Sequence, residues 1–144
     1  MTVAAILKHK GHDVASVAAT TPIAEVAQIL GTRRIGALLV MDTAGQLLGI
    51  ISERDIVRCL AEHGARVLEM TAGQLMTREL QTATPSTTAQ QAMTMMTEGR
   101  FRHLPVLEGD RLVGVVSIGD IVKARIMQQE HEVDSLKAYV SGGA

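Results

Sequence analysis

The stretch Gly49-Ile50-Ile51-Ser52-Glu53-Arg54-Asp55-Ile56-Val57 returns later in the chain as Gly114-Val115-Val116-Ser117-Ile118-Gly119-Asp120-Ile121-Val122. Each copy reads glycine, two β-branched residues, serine, two variable positions, aspartate, isoleucine, valine. β-Branched runs suit a strand, and serine followed three positions later by an acid marks a helix start. The same strand-to-helix corner is therefore written twice. Asp55 and Asp120 are 65 positions apart. Further upstream the offset becomes 66: Val40 meets Val106, Ile29-Leu30 meets Met95-Met96, and Val17 meets Ala83. The one-residue difference falls in the turns DTAGQ (42–46) and EGDR (108–111). A repeat of this length signals two copies of one structural unit.

Each copy has the same internal order. An extended piece (Val14 to Val17; Leu80 to Thr84) leads to a Pro- and Thr-rich start. That start opens an amphipathic helix, TPIAEVAQILGTRR (21–34) or PSTTAQQAMTMMTEG (85–99). A strand follows, GALLVMD (36–42) or HLPVLE (103–108). A Gly-bearing turn then leads to QLLGIIS (46–52) or RLVGVVS (111–117), which completes a hairpin. A second helix starts at the Ser-x-x-Asp corner. The unit is β-α-β-β-α, and the expected fold is α/β of the α+β kind. One such unit is too small to cover its own apolar faces, so two packed by a pseudo-two-fold are expected. Repeat 1 is assigned to 1–66, repeat 2 to 67–128, and a C-terminal helix or tail to 129–144, fraying at Ser141-Gly142-Gly143. The segment from Glu69 to Gln81 reads as the connection between repeats.

With 144 residues, 47% of them apolar, the chain can build a real core. Aromatics are only Phe101 and Tyr139, so that core is aliphatic, with the eight methionines as gap-fillers. Fourteen basic against fifteen acidic residues leave a net charge of −1. That balance, without aromatic stacking platforms, argues against nucleic-acid binding. Arg33-Arg34 and Arg100-Phe101-Arg102-His103 remain local anion candidates. The single Cys59 cannot form an internal disulfide, so a reducing cytoplasm is expected, with Cys59 as a buried small hydrophobe. The apolar run in MTVAAILKHKGHD (1–13) is too short for a signal peptide or membrane span, and no later run approaches spanning length. His9, His12, His63, His103 and His131 lack partners at zinc spacing. No nucleophile elbow, Walker loop or G-x-G-x-x-G occurs, so neither a metal site nor catalysis is expected.

The corner itself has two compatible readings. As a capping box, Ser and Asp satisfy helix N–H groups reciprocally. As a binding site, the corner presents N–H groups and a positive dipole end to an anion. The strand glycine allows close approach, and an ionised Asp can accept from two vicinal hydroxyls, as in ribose.

The paired β-α-β-β-α units, the corner, and FRHLPVLEGDRLVGVVSIGDIV (101–122) resemble a tandem cystathionine-β-synthase (CBS) domain pair, also called a Bateman module. IGALLVMDTAGQLLGIISERDIV (35–57) matches the pattern nearly as well, and the resemblance covers roughly Val3 to Ile126. The chain looks like the stand-alone bacterial two-repeat proteins. The resemblance implies a regulatory module binding an adenosine ligand: AMP, ADP, ATP, NAD(H) or S-adenosylmethionine, in clefts between the repeats. Carried over by position, Asp55 and Asp120 would each hold a ribose, and Ser52 and Ser117 would touch sugar or phosphate. Adenine would lie near Ile35 in one cleft and Phe101 in the other. Thr77 and Thr82 would add base or ribose contacts, with Lys10 and Ser16 in the comparable stretch of repeat 1. Arg102 and His103 would serve the Asp55 cleft and Arg54 the Asp120 cleft, since Arg pairs bidentately with phosphate. His103 would add pH sensitivity. The resemblance also implies a homodimer, an unidentified regulated protein, and no membrane partner. The competing reading is a ligand-independent dimerisation or adaptor module in which Ser52 and Ser117 are only caps. Slow nucleotide hydrolysis would need a water-activating base that is not evident.

Overall fold

A computed structural model describes residues 1–142. The fold is a mixed α+β arrangement with one three-stranded and one two-stranded sheet. The elements run α1 (Val3–Lys10), β1 (Ser16–Val17), α2 (Ile23–Arg33), β2 (Ala37–Met41), β3 (Leu47–Ser52) and α3 (Glu53–His63). A 3₁₀ turn (Gly64–Glu69) leads to the short α4 (Ala72–Leu75). Then come α5 (Ala89–Gly99), β4 (His103–Glu108), β5 (Arg111–Ser117) and α6 (Ile118–Gly142).

The repeat is visible bond by bond. β1 pairs in parallel with β2, Val17 opposite Val40. In the second copy the same contact survives as a single parallel bridge, Ala83 opposite Val106. Leu80 to Thr84 therefore forms no strand, only this bridge. The hairpins β2–β3 and β4–β5 form around the expected Gly-bearing turns. α2 and α5 each end on an arginine in the left-handed region, Arg34 at φ 54° and Arg100 at φ 57°. A non-glycine residue there is strained by roughly 1 kcal/mol. The compensation is local: the N–H groups of Arg34 and Ile35 both bond Leu30 C=O, and those of Arg100 and Phe101 bond Met96 C=O. This motif fixes where Ile35 and Phe101 emerge.

The compact units do not follow the repeat boundaries. One unit comprises residues 13–82 and 108–113; the other comprises 1–12, 83–107 and the chain from Gly114 onward. In the first, α4 docks on the start of α2, with Pro22 bridging Thr71 and Ala72 N–H bonding Thr21 C=O. Its core is Ile23, Val26, Leu30, Leu38, Val40, Ile51, Val67, Ala72, Leu75 and Met76, with Cys59 half-buried against it. In the second, α1 docks in the same manner on the start of α5. Thr2 bridges Thr88, and Val3 N–H bonds Thr87 C=O. Val3, Ile6, Leu7, Ala92, Met96, Leu104, Val106, Val116 and Ile121 are buried there. The segment that leads into each repeat thus belongs to the unit built on the other repeat. α1 itself was not foreseen; Thr2 caps it by accepting from Ala5 N–H. α6 is one continuous helix to Gly142, where the tail was expected to fray from Ser141; Gly143 lies outside the described residues.

Candidate functional site

Both corners fold as reciprocal caps. Ser52 N–H donates to Asp55 Oδ2 at 2.8 Å, and Asp55 N–H donates to Ser52 Oγ at 3.2 Å. In the second copy Ser117 N–H donates to Asp120 Oδ2 at 2.8 Å, and Asp120 N–H donates to Ser117 Oγ at 3.1 Å. The next N–H in each corner is also spent, Glu53 on Gly36 C=O and Ile118 on Arg102 C=O. The corners were expected to offer free N–H groups to an anion. Three in each are instead spent on partners within the protein.

The glycine before each corner also has a different tenant. A Cβ on Gly49 would lie 2.7 Å from Thr77 C=O and 2.8 Å from the Met76 sulfur. A Cβ on Gly114 would lie 2.8 Å from a Leu7 methyl. What approaches these strands closely is the leading segment of the other repeat. Thr77 exchanges both backbone hydrogen bonds with Ile50, extending the sheet edge.

That docking brings a new side chain to each carboxylate. Asp55 is buried and uses both oxygens: Oδ2 accepts from Ser52 Oγ at 3.0 Å, and Oδ1 pairs with Arg58 at 2.8 Å. Thr77 Oγ1 lies at 3.5 Å from Oδ1. Asp120 is more open, with 23% of its side chain exposed. Its Oδ2 pairs with Lys10 Nζ at 2.6 Å, and the same ammonium bonds Val115 C=O at 2.7 Å. Burial pushes the Asp120 carboxyl up. The Lys10 hydrogen bond, the Ser117 N–H, the Lys10 charge and the Ser117 hydroxyl together outweigh it and hold the group below the ordinary aspartate value. Asp120 is thus a carboxylate at neutral pH, adjacent to a cation and reachable from solvent.

Ser16, Ile35, Arg54 and Thr82 belong to the first unit, and Phe101, Arg102 and His103 to the second. Ile35 and Phe101 are half-buried at repeat-equivalent places after the left-handed arginines, and the Phe101 ring covers Gly99 so closely that any Cβ there would collide. Arg102 is exposed and its carbonyl braces the second corner; His103 opens β4, half-buried. Arg54 is exposed in the first turn of α3. Ser16 opens β1, exposed, with Leu39 its strand partner; Thr82 is exposed just before the Ala83 bridge. The structure therefore assembles Ser52, Asp55 and Thr77 in one unit and Lys10, Ser117 and Asp120 in the other. Arg58 was missed, although a cation three residues after Asp55 on a helix is a readable pair. Among the described residues no group of acids, His and Cys could hold a metal ion, and no helix is long and apolar enough to cross a membrane.

Comparison with known proteins gives one answer. The sequence model described as "CBS domain" matches residues 4–62 and again 72–127. The CBS-domain containing protein ATU1752 from Agrobacterium tumefaciens is 43% identical, with a TM-score of 0.85 over 87% of this chain and 99% of that one. The CBS domain pair of protein MJ0100, solved in complex with 5′-methylthioadenosine and S-adenosyl-L-methionine, is 28% identical. Its TM-score is 0.75 over 86% of this chain and 98% of that one. The mitochondrial CBS domain-containing protein CBSX3 of Arabidopsis thaliana is 41% identical over 113 residues, 76% of this chain. The chain matches little more than half of that relative, 55% of its length. Two matched repeats, twin capped corners and structural likeness over most of the chain agree: the chain belongs to the CBS-domain family, as a tandem pair.

Proposed function

We propose that this CBS pair is a regulatory sensor of an adenosine ligand, with the Asp120 corner as its principal ribose site. The observation that carries this reading is the Lys10–Asp120 pair: an accessible, ionised carboxylate 2.6 Å from an ammonium. A ribose diol can take the carboxylate as acceptor, and Lys10, so released, can follow the phosphate. Asp55, buried and held by Ser52 and Arg58, is the weaker site in this reading. Arg54, Arg102 and His103 are the further phosphate contacts, Ser16, Thr77 and Thr82 the polar contacts, and Ile35 and Phe101 the adenine platforms. The complex of the MJ0100 CBS pair with two adenosine compounds supports the ligand class. A sensor acts by binding one arrangement of the protein better than another, so no catalytic role is assigned. The acting form in this reading is a homodimer, supported by the exposed Val57 and Leu60 on α3 and Val122 and Ile126 on α6.

The test is a thermal-shift panel of AMP, ADP, ATP, NAD+, NADH and S-adenosylmethionine on wild type, Asp55→Asn and Asp120→Asn. A ligand present at 100 times its Kd stabilises by about 2.7 kcal/mol, roughly 8 °C for a chain of this size. The expected result is a ligand-specific rise kept in Asp55→Asn and lost in Asp120→Asn. No rise with any adenosine compound at millimolar concentration would favour the adaptor reading, which the complete capping of both corners independently supports.

A further inference from the structure

α6 spans 25 residues, and from Arg125 to Val140 every residue on it is exposed. That is about 24 Å of helix on which no residue is buried or half-buried. An unsupported helix of this length is marginal in water. Most of its exposed apolar residues fall on a heptad seam, with Met127 and Tyr139 off it. Ile126, Val133 and Val140 fall at one seam position (a), and Val122, Gln129 and Leu136 at the other (d). The five apolar members are between 45% and 65% exposed.

We propose that this seam is occupied by the same helix of a second copy, forming a parallel two-stranded coiled coil. The proposal deepens the dimer part of the reading above and does not depend on nucleotide. β-Branched Ile126, Val133 and Val140 at a, with Leu136 at d, favour two strands. The flanking charges select orientation. In a parallel pair, each residue before an a position meets the partner residue five positions later. Arg125 then meets Glu130, and Glu132 meets Lys137, opposite signs in both cases. A fully overlapped antiparallel pair would instead set Glu130 against its own copy and Lys123 against Lys137. Arg125 also touches the Met93 sulfur at 3.6 Å, a weak acceptor that leaves its other N–H groups for an ion pair.

The test is oligomeric mass by analytical ultracentrifugation on the full chain. Wild type is expected to be a dimer, and the surface double variant Val133→Glu, Leu136→Glu to raise the dimer Kd at least tenfold with an unchanged melt of the units. Glu132→Lys should weaken the dimer roughly fivefold, and adding Lys137→Glu should restore it. In a Cys59→Ala background, Val140→Cys should form an interchain disulfide under mild oxidant, because only the parallel register sets that position opposite itself. A monomeric wild type would overturn this proposal and the dimer reading together. A dimer indifferent to the double variant, a trimer or tetramer, or a dimer that Val140→Cys fails to cross-link would overturn the coiled coil alone.

Discussion

Replacing Lys10 by methionine reports most directly on the second corner. Methionine keeps an unbranched apolar stem and removes the charge. The lost contacts are an ion pair at 2.6 Å and a bond to Val115 C=O at 2.7 Å. Lys10 is 35% and Asp120 23% exposed, so water screens the pair and its contribution is set at about 1 kcal/mol, not at the value of a buried charge pair. At neutral pH Lys10→Met should melt about 3 °C lower than wild type. The sign with pH follows from Asp120, whose folded pKa lies below its unfolded one. Stability from such a group is full above the unfolded value of about 3.9 and is lost as pH falls through the depressed folded value. The gap between the two proteins in urea denaturation should therefore be constant above about pH 5, shrink below about pH 4, and fall in stronger acid to the share of the Val115 C=O bond. A gap that persists unchanged into acid would refute the electrostatic account and assign the effect to packing of the lysine stem.

Three further outcomes follow from the same geometry. Gly49→Ala should destabilise more than Gly114→Ala, because the added carbon meets a backbone carbonyl at Gly49 and the end of a leucine side chain at Gly114; equal losses in denaturant midpoint would contradict this. Ser52→Ala and Ser117→Ala should each cost about 1 kcal/mol by loss of a helix cap, read as a shift in midpoint without a change in slope. Leu104→Ala, fully buried, should cost about 2–5 kcal/mol in chemical denaturation, and a loss under 1 kcal/mol would mean that site collapses freely.

The parts of the fold legible from sequence are those with a local physical signature. α2 and α5 show the 3.6 period behind Pro22 and Thr88, and the hairpins show short apolar runs around Gly45 and Gly109. The Ser-x-x-Asp corners are legible as caps because a cap is a contact across three residues. What was illegible is long-range. Nothing near Lys10 indicates that it pairs with a residue 110 positions away, and nothing near Gly49 distinguishes an approaching ligand from an approaching Met76-Thr77 segment. α1 is short and only its Thr2 cap hints at it; packing against the second repeat, which its own residues do not announce, stabilises it. The site suffered the same limit: Ser52 and Asp55 could be paired by spacing, whereas the open Asp120 and the closed Asp55 read alike.

The exchange of leading segments also sets an order of events during synthesis. Met1–His12 is made well before the rest of its unit: its burial partners lie between Ala83 and Ile121. At about 5–20 residues per second, the nascent α1 waits on the order of ten seconds for a surface to dock on. The unit holding Asp13–Thr82 can form meanwhile, apart from its 108–113 piece. α1 is covered only after the second repeat has been made, and the Lys10–Asp120 ion pair closes only then, across 110 positions of chain.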